Sequence, residues 1–416
     1  MKLLTNAFKT NPYIIEPEWT VADTMVLYPT GTLETIKDIE FIRPLLSYQD
    51  IKWNIETDFF QYLEPDSLYK LRHDKCILIF DVSLEGFSFY EIPFAMCLHK
   101  LCGDYKIDHR KVFLLTANYK EIQNYNVYRI LNKFNQSINI VQTMSIGLMT
   151  SDQNPVSLEE SIALTKKNHI DKIMLQLSRR NRPHRVLANY YLSQTEFRHR
   201  ALISQDVLTD EHIHHVMYEY RNSICQEDGL SIKDIIKWNK ELPYVVDSSD
   251  FGINWASHKN KELYDKTIFS VVLETSQNDY GETKLFPSEK TYKAINARHP
   301  FIILGNKNIN RFLRTIGFKT YEQYFDLDLI EDDIDPLGRY KKILSQLEYI
   351  MRDLSKRSIQ ARVDWKFMDR DVLEHNYQVL VSKKIIEKEA QLLHSTIYSY
   401  FNNNFKDYLS TANMSF

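Results

Sequence analysis

Apolar residues along this chain gather in short unbroken runs, separated by stretches where they recur every three or four positions. "KCILIF" (75–80), "KVFLLTAN" (111–118) and "INIVQTMSIG" (138–147) are runs of the first kind. A short apolar run with polar flanks predicts a strand covered on both faces, as in a parallel sheet. "FYEIPFAMCLHKLCG" (89–103) and "YNVYRILNKFNQ" (125–136) carry the helical spacing. Strand and helix therefore alternate, which predicts βαβ units.

A second series opens at "KIMLQLS" (172–178), continues through the helical "RVLANYYLSQTEF" (185–197) and reaches the strand-like "ALISQDV" (201–207). "TIFSVVLET" (267–275) follows as a strand, then a helix over 289–297, a strand over 300–304 and the helix "NINRFLRTIGF" closed by Gly317. The polar segment 151–169, with Asn154-Pro155, predicts the connection between the two series. From about Leu337 the chain turns helical and charged. This predicts two Rossmann-like α/β domains, 1–165 and 166–336, and a helical tail over 337–416 packing back on the first domain.

Composition changes little in this picture. The chain has 416 residues, 44% of them hydrophobic and 26% charged, ordinary for a globular protein and long enough for two cores. With a mean hydropathy of -0.40, no apolar run approaches a membrane span. The N-terminal apolar patch is too short for a signal segment, so a cytoplasmic protein is expected. Four cysteines without CxxC spacing predict reduced, buried thiols. A net charge of -3 announces no nucleic acid, and 10 glycines leave few glycine-rich phosphate loops.

The chemistry concentrates in "VVLETSQNDYGETKLFPSEKTYKAINARHPFIILG" (271–305). Ligands of open parallel sheets bind off the carboxyl ends of strands, where Glu274 stands. Ser288 is a good N-cap, placing Glu289 and Lys290 in the first helical turn, where backbone N–H groups and the helix dipole favour an anion. A carboxylate there can accept two ribose hydroxyls while the lysine neutralises a phosphate. A charged first turn also starts many plain capped helices. The preceding strand with its terminal Glu274, and the apolar strand after, favour the binding role.

This segment resembles the donor-binding signature of GT-B glycosyltransferases, as found in the fucosyltransferase and exostosin-like families. It is also similar to uncharacterised proteins of tailed phages and marine bacteria. The resemblance spans about 35 residues well and the rest in layout only. It implies that Glu289 holds the ribose of a nucleotide sugar, such as a UDP- or GDP-sugar, that Lys290 stands near its phosphates, and that Glu274 meets the sugar or ribose side. It implies no metal ion and no further cofactor. One departure is Ala297-Arg298-His299-Pro300, where the family often has a glycine-rich turn.

Three more clusters bear on this. "QLSRRNRPHRVL" (176–187) runs a strand into arginines and a helix start, and guanidinium forks match phosphate oxygens. Arg179 and Arg185 are the expected diphosphate ligands; a solvated basic loop or a nucleic-acid patch is the alternative. In "IFDVSLEGFSFYE" (79–91), Asp81 and Glu85 follow a strand of the first domain. They are candidates for the base that deprotonates an acceptor hydroxyl, or simple loop carboxylates. "DLDLIEDDIDP" (326–336) holds Asp326 and Asp328 at the spacing of a metal-binding Asp-x-Asp, but after a helix, and reads as an acidic surface loop. The expected activity is sugar transfer to a hydroxyl, with a glycan acceptor preferred. The alternatives are a hydroxymethylated base in phage-type DNA and a non-catalytic nucleic-acid-binding protein.

Overall fold

A computed structural model of the chain describes residues 2–3, 40–42, 63–73, 76–82, 94–143, 157–168, 170, 172–178, 180–246, 261–275, 283–331 and 336–382, with single positions at 384–385, 388, 391 and 395. The chain divides into two compact units. Unit 1 comprises Met1–Leu148, Tyr280–Phe286 and Ser382–Phe416; unit 2 comprises Met149–Asp279 and Pro287–Val381.

Among the described residues, unit 1 carries five parallel strands in sequential order, β1 (Lys2–Leu3), β2 (Glu40–Ile42), β3 (Cys76–Val82), β4 (Val112–Thr116) and β5 (Asn139–Gln142). Helix α1 (Pro65–His73) precedes β3, α2 (Phe94–Asp104) joins β3 to β4, and α3 (Glu121–Leu131) joins β4 to β5. Ile77, Leu78, Phe80, Val112 and Phe113 have no exposed surface, so the apolar runs form the centre of the sheet. Burying each such side chain contributes roughly 1.5–3 kcal/mol.

The described part of the segment Tyr280–Phe286, residues 283–286, bonds to this unit through its backbone. Asn118 and Asn124 both donate their amide N–H groups to the Thr283 carbonyl, at 3.1 and 2.8 Å. Leu285 N–H donates to Asn118 Oδ1 at 3.0 Å, and Tyr119 N–H to the Leu285 carbonyl at 2.9 Å.

Unit 2 is doubly wound. Its four parallel strands are β6 (Met174–Leu177), β7 (Ala201–Ser204), β8 (Phe269–Leu273) and β9 (Phe301–Leu304), in the order β7-β6-β8-β9. Helix α4 (Leu158–Lys167) precedes β6, and α5 (Pro183–Ser193) connects β6 to β7. Then come α6 (Asp210–Glu227), α7 (Ile232–Asn239) and α8 (Lys261–Asp265) before β8. Helix α9 (Glu289–Asn296) links β8 to β9, and α10 (Ile309–Thr315) and α11 (Leu327–Glu331) follow. The chain leaves β6 towards one edge and β8 towards the other. Their carboxyl ends are therefore the topological switch point, where open α/β sheets bind ligands.

The tail departs from expectation. The helices α12 (Pro336–Lys356), α13 (Ile359–Lys366) and α14 (Arg370–Val381) belong to unit 2, and only the chain after Val381 groups with unit 1. Three polar anchors account for this. Arg339 donates to the Gly305 carbonyl at 3.1 Å, and Arg298 pairs with Glu374 at 2.9 Å while lying 3.6 Å over the Tyr377 ring. Lys366 donates to the Tyr264 carbonyl at 2.6 Å and to Thr165 Oγ1 at 3.3 Å. The last contact also draws α4 into unit 2, so the boundary falls at Leu148 rather than at 165.

Candidate anion site at the switch point

The loop after β6 is fixed from below by a run of buried amides. Gln176 donates to Asn189 Oδ1 at 2.5 Å, and Asn189 donates to Ser178 Oγ at 2.7 Å and Gln205 Oε1 at 2.6 Å. Gln205 donates in turn to Asn181 Oδ1, and Asn181 reaches the Val207 carbonyl at 2.9 Å. Gln176, Asn189 and Gln205 have no exposed surface. Gln176 Oε1 has no partner among the described residues, but the remaining bonds of this buried network restrict the loop that delivers Arg182.

Arg182 is the N-cap of α5, and Pro183 takes the first helical position, where its missing N–H is not needed. His184 and Arg185 follow in the first turn. All three point at the chain leaving β8. Arg182 Nη1 donates to the Thr275 carbonyl at 2.6 Å, His184 Nε2 to the Glu274 carbonyl at 3.0 Å, and Arg185 Nε and Nη2 to that same carbonyl at 3.2 and 2.9 Å.

The Glu274 side chain turns the other way. Its Oε1 accepts from Ser288 N–H at 3.0 Å and from Thr291 Oγ1 at 2.5 Å, capping the start of α9 from a neighbouring strand. Gly305, just after β9, leaves room for it. A Cβ there would stand 3.0 Å from Glu274 Cβ and 3.1 Å from Ile309 Cδ1. Lys290 closes the ring, donating to Glu289 Oε1 at 2.6 Å, Thr275 Oγ1 at 3.1 Å and Ser288 Oγ at 3.3 Å. Two helix starts, α5 and α9, thus meet over the ends of β6 and β8.

The electrostatics follow from burial and crowding. Arg185 is 2% exposed, and burial together with the Arg182 charge lowers its pKa to about 9. Burial, then Arg185, holds His184 well below the usual histidine range, so the ring is neutral. Burial lowers Lys290 against the pull of Glu289. For Glu289, burial acts upward, but the Lys290 ammonium outweighs it and holds the carboxyl at about 2. Arg182, Arg185 and Lys290 face Glu289 and the capping Glu274, a local excess of positive charge beside two helix N-termini. Such a place suits an anion.

Of the residues singled out from sequence, Arg185, Glu274, Ser288, Glu289 and Lys290 come together here. Sequence places Glu274 against the ligand; the structure buries its carboxylate completely and engages it as a cap. Arg179 lies outside the described residues; Arg182, from the same loop, reaches the Thr275 carbonyl. Asp81 is near the carboxyl end of β3, level with Leu115 of β4, and its side chain is outside the described set, as is all of Glu85. Asp328 pairs with Arg311 at 2.7 Å, and Asp326 Oδ1 accepts from Leu329 N–H at 2.9 Å, so both have local structural partners. No group of three or more metal-ligating side chains occurs among the described residues, and no described helix is long and apolar enough to cross a membrane. Sequence reasoning passes over His184 and Thr275. The position of His184 one residue after a helix-starting proline is the signal for the first; nothing in sequence marks the second.

No family model and no curated protein sequence matches the chain. Among solved structures, trehalose-6-phosphate from E. coli bound with UDP-2-fluoro glucose is similar at 12% identity and TM-score 0.44, covering 88% of this chain and 74% of its own. A second, trehalose-6-phosphate synthase OtsA, gives 12% identity and TM-score 0.43 over 88% and 73%. The N-terminal domain of a Candida albicans trehalose-6-phosphate phosphatase gives 13% and 0.40 over 88% and 73%. At TM-scores this low, function has to rest on the residues of this chain.

Proposed function

We propose that this chain is a glycosyltransferase that takes a nucleotide sugar, with the diphosphate held at the switch point of unit 2. One observation carries the reading: Arg182, Arg185 and Lys290 converge where α5 and α9 begin, over the ends of β6 and β8. Arg185 Nη1 has no partner among the described residues and is the group offered to a phosphate oxygen. Lys290 exchanges Glu289 for phosphate, and the released Glu289 carboxylate accepts ribose hydroxyls. The resemblance of segment 271–305 to the GT-B donor signature supports the same assignment.

In the reaction, the acceptor oxygen bonds to the anomeric carbon as the bond to the nucleoside diphosphate breaks. The acceptor proton goes to a carboxylate, for which Asp81 or Glu85 of unit 1 is proposed. The cations stabilise the charge that develops on the leaving diphosphate. Glu274 acts as a positioning residue, setting the start of α9. The acceptor is proposed to be a glycan hydroxyl, consistent with a net charge of -3.

Calorimetric titration tests the donor site. A UDP or GDP ligand should bind, and Arg185→Gln should weaken it about 10- to 100-fold, the range of one charge-assisted hydrogen bond, leaving the weaker nucleoside affinity unchanged. Equal losses for nucleoside and diphosphate, or no binding of either nucleotide by the wild type, would overturn the assignment. Labelled sugar appearing on hydroxymethylated DNA with a steep salt dependence, and not on saccharides, would move the acceptor to DNA.

A further inference from the structure

Helix α6 opens with His212, His214 and His215, none of which has a role in the reading above. His214 and His215 are exposed, and His215 Nε2 lies 2.9 Å from Glu219 one turn on. His212 differs from both. It is half-buried, and its Nδ1 meets Thr209 N–H at 3.2 Å, Thr209 Oγ1 at 3.0 Å and Asn181 Nδ2 at 3.4 Å. An amide N–H only donates, so Nδ1 is the acceptor and the ring carries its proton on Nε2.

Thr209 stands just before α6, and its Oγ1 accepts from His212 N–H at 3.3 Å. Each residue thus satisfies the other's backbone N–H, a capping box with histidine where Glu or Gln is usual. The same device opens α7, where Ser231 N–H donates to Asp234 Oδ2 at 2.9 Å. What sets α6 apart is the further donor, Asn181, which lies 31 positions earlier in the chain.

Asn181 immediately precedes Arg182, the N-cap of α5. Its Oδ1 accepts from Gln205, which fixes the orientation of the amide, and its Nδ2 donates to the Val207 carbonyl at 2.9 Å and to His212. The residue that carries Arg182 is therefore tied to the chain leaving β7 and to the helix beyond it. Removing the His212 acceptor loosens that tie and the start of α6 together. We propose that His212 is a positioning residue for the anion site, acting through Asn181 on Arg182 by means of its Nδ1 lone pair. The inference rests on the anion-site reading above.

Substitutions separate the lone pair from the rest of the ring. His212→Leu and His212→Ala both remove the acceptor. His212→Asn puts an amide oxygen near the Nδ1 position, the place from which Asp234 caps α7. Arg182→Gln removes the cation and is combined with His212→Leu. Affinities for pyrophosphate and UDP are measured by calorimetric titration, and thermal unfolding confirms that each variant is folded. His212→Ala replaces the leucine variant if that one does not fold.

His212→Leu should weaken both probes by about 3- to 10-fold, the range of one neutral hydrogen bond. His212→Asn should bind them within about 2-fold of wild type. Because His212 acts through Arg182, the loss should nearly vanish in the Arg182→Gln background, as coupled residues require. A box that only stabilises α6 would lower the unfolding midpoint of His212→Leu and leave both affinities unchanged, and that result overturns the proposal. So does an asparagine variant as weak as the leucine one, or a double variant in which the two losses simply add. With Arg182→Gln itself weakened, each of these outcomes leaves the anion site standing. A wild type that binds neither probe, or an Arg182→Gln that binds as tightly as wild type, removes the anion site and this inference with it.

Discussion

Lys366 offers a quantitative test of how unit 2 is held together. Its side chain is 2% exposed at the junction of α4, α8 and α13, donating to the Tyr264 carbonyl and to Thr165 Oγ1. Burial lowers its pKa from 10.5 to about 7, with Asp265 acting against the shift, and the ammonium in turn pushes the neighbouring His299 further down. Because the folded protein binds this proton less tightly than the unfolded chain, stability must rise with pH between about 7 and 10.5. At 1.36 kcal/mol per unit, the full span is about 4.8 kcal/mol, an upper value, of which about 4 is present as a penalty at pH 7. Lys366→Met removes the titration and keeps most of the packing. Urea unfolding of both proteins at several pH values isolates the effect. The wild type should gain about 2–4 kcal/mol on the methionine variant between about pH 7 and pH 10. A difference that stays flat to within about 1 kcal/mol would refute a charged, desolvated Lys366.

Two further substitutions probe the site's scaffold. Glu289 is held at about 2 instead of 4.5, so its contribution is complete above pH 4.5 and disappears as the pH falls towards 2. Its side chain is 26% exposed. Glu289→Gln should therefore be destabilised by about 1–3 kcal/mol near neutrality, with the gap to wild type closing in acid; a pH-independent gap in unfolding midpoints would contradict the Glu289–Lys290 pairing. Gly305→Ala should cost about 1–3 kcal/mol by overpacking Glu274 and Ile309. It should weaken diphosphate binding through the displaced cap on α9. An alanine variant as stable as wild type in urea would show that Glu274 has room to move.

The stretch from β8 to β9 was legible in sequence because local rules set it. Continuous apolar runs made the strands, and Ser288 made the helix start at Glu289. The same rules could not show which way Glu274 turns. A carboxylate at a strand end can face a ligand or fold back to cap a helix, and the choice depends on Ser288 and Thr291 arriving beside it. Nor could they show the amide chain through Gln176, Asn189, Gln205 and Asn181, whose bonded neighbours are separated by up to 24 positions in sequence. The tail illustrates the same boundary. Its apolar stripe foretold helices that pack, while their partner was decided by Arg298, Arg339 and Lys366 meeting distant carbonyls, a carboxylate and a ring.

The division of the chain has a consequence for anyone wishing to cut or exchange its parts. The path changes unit at Leu148, Asp279, Phe286 and Val381, so neither unit is one uninterrupted segment. A fragment ending at Leu148 would lack Thr283 and Leu285, leaving Asn118, Asn124 and Tyr119 without the backbone groups they bond. A fragment starting at Met149 would carry those residues as an orphaned loop leading into Ser288 and α9. Grafting the anion site onto another protein therefore means transplanting two segments and re-closing the gap from Asp279 to Pro287, rather than moving a single block of sequence.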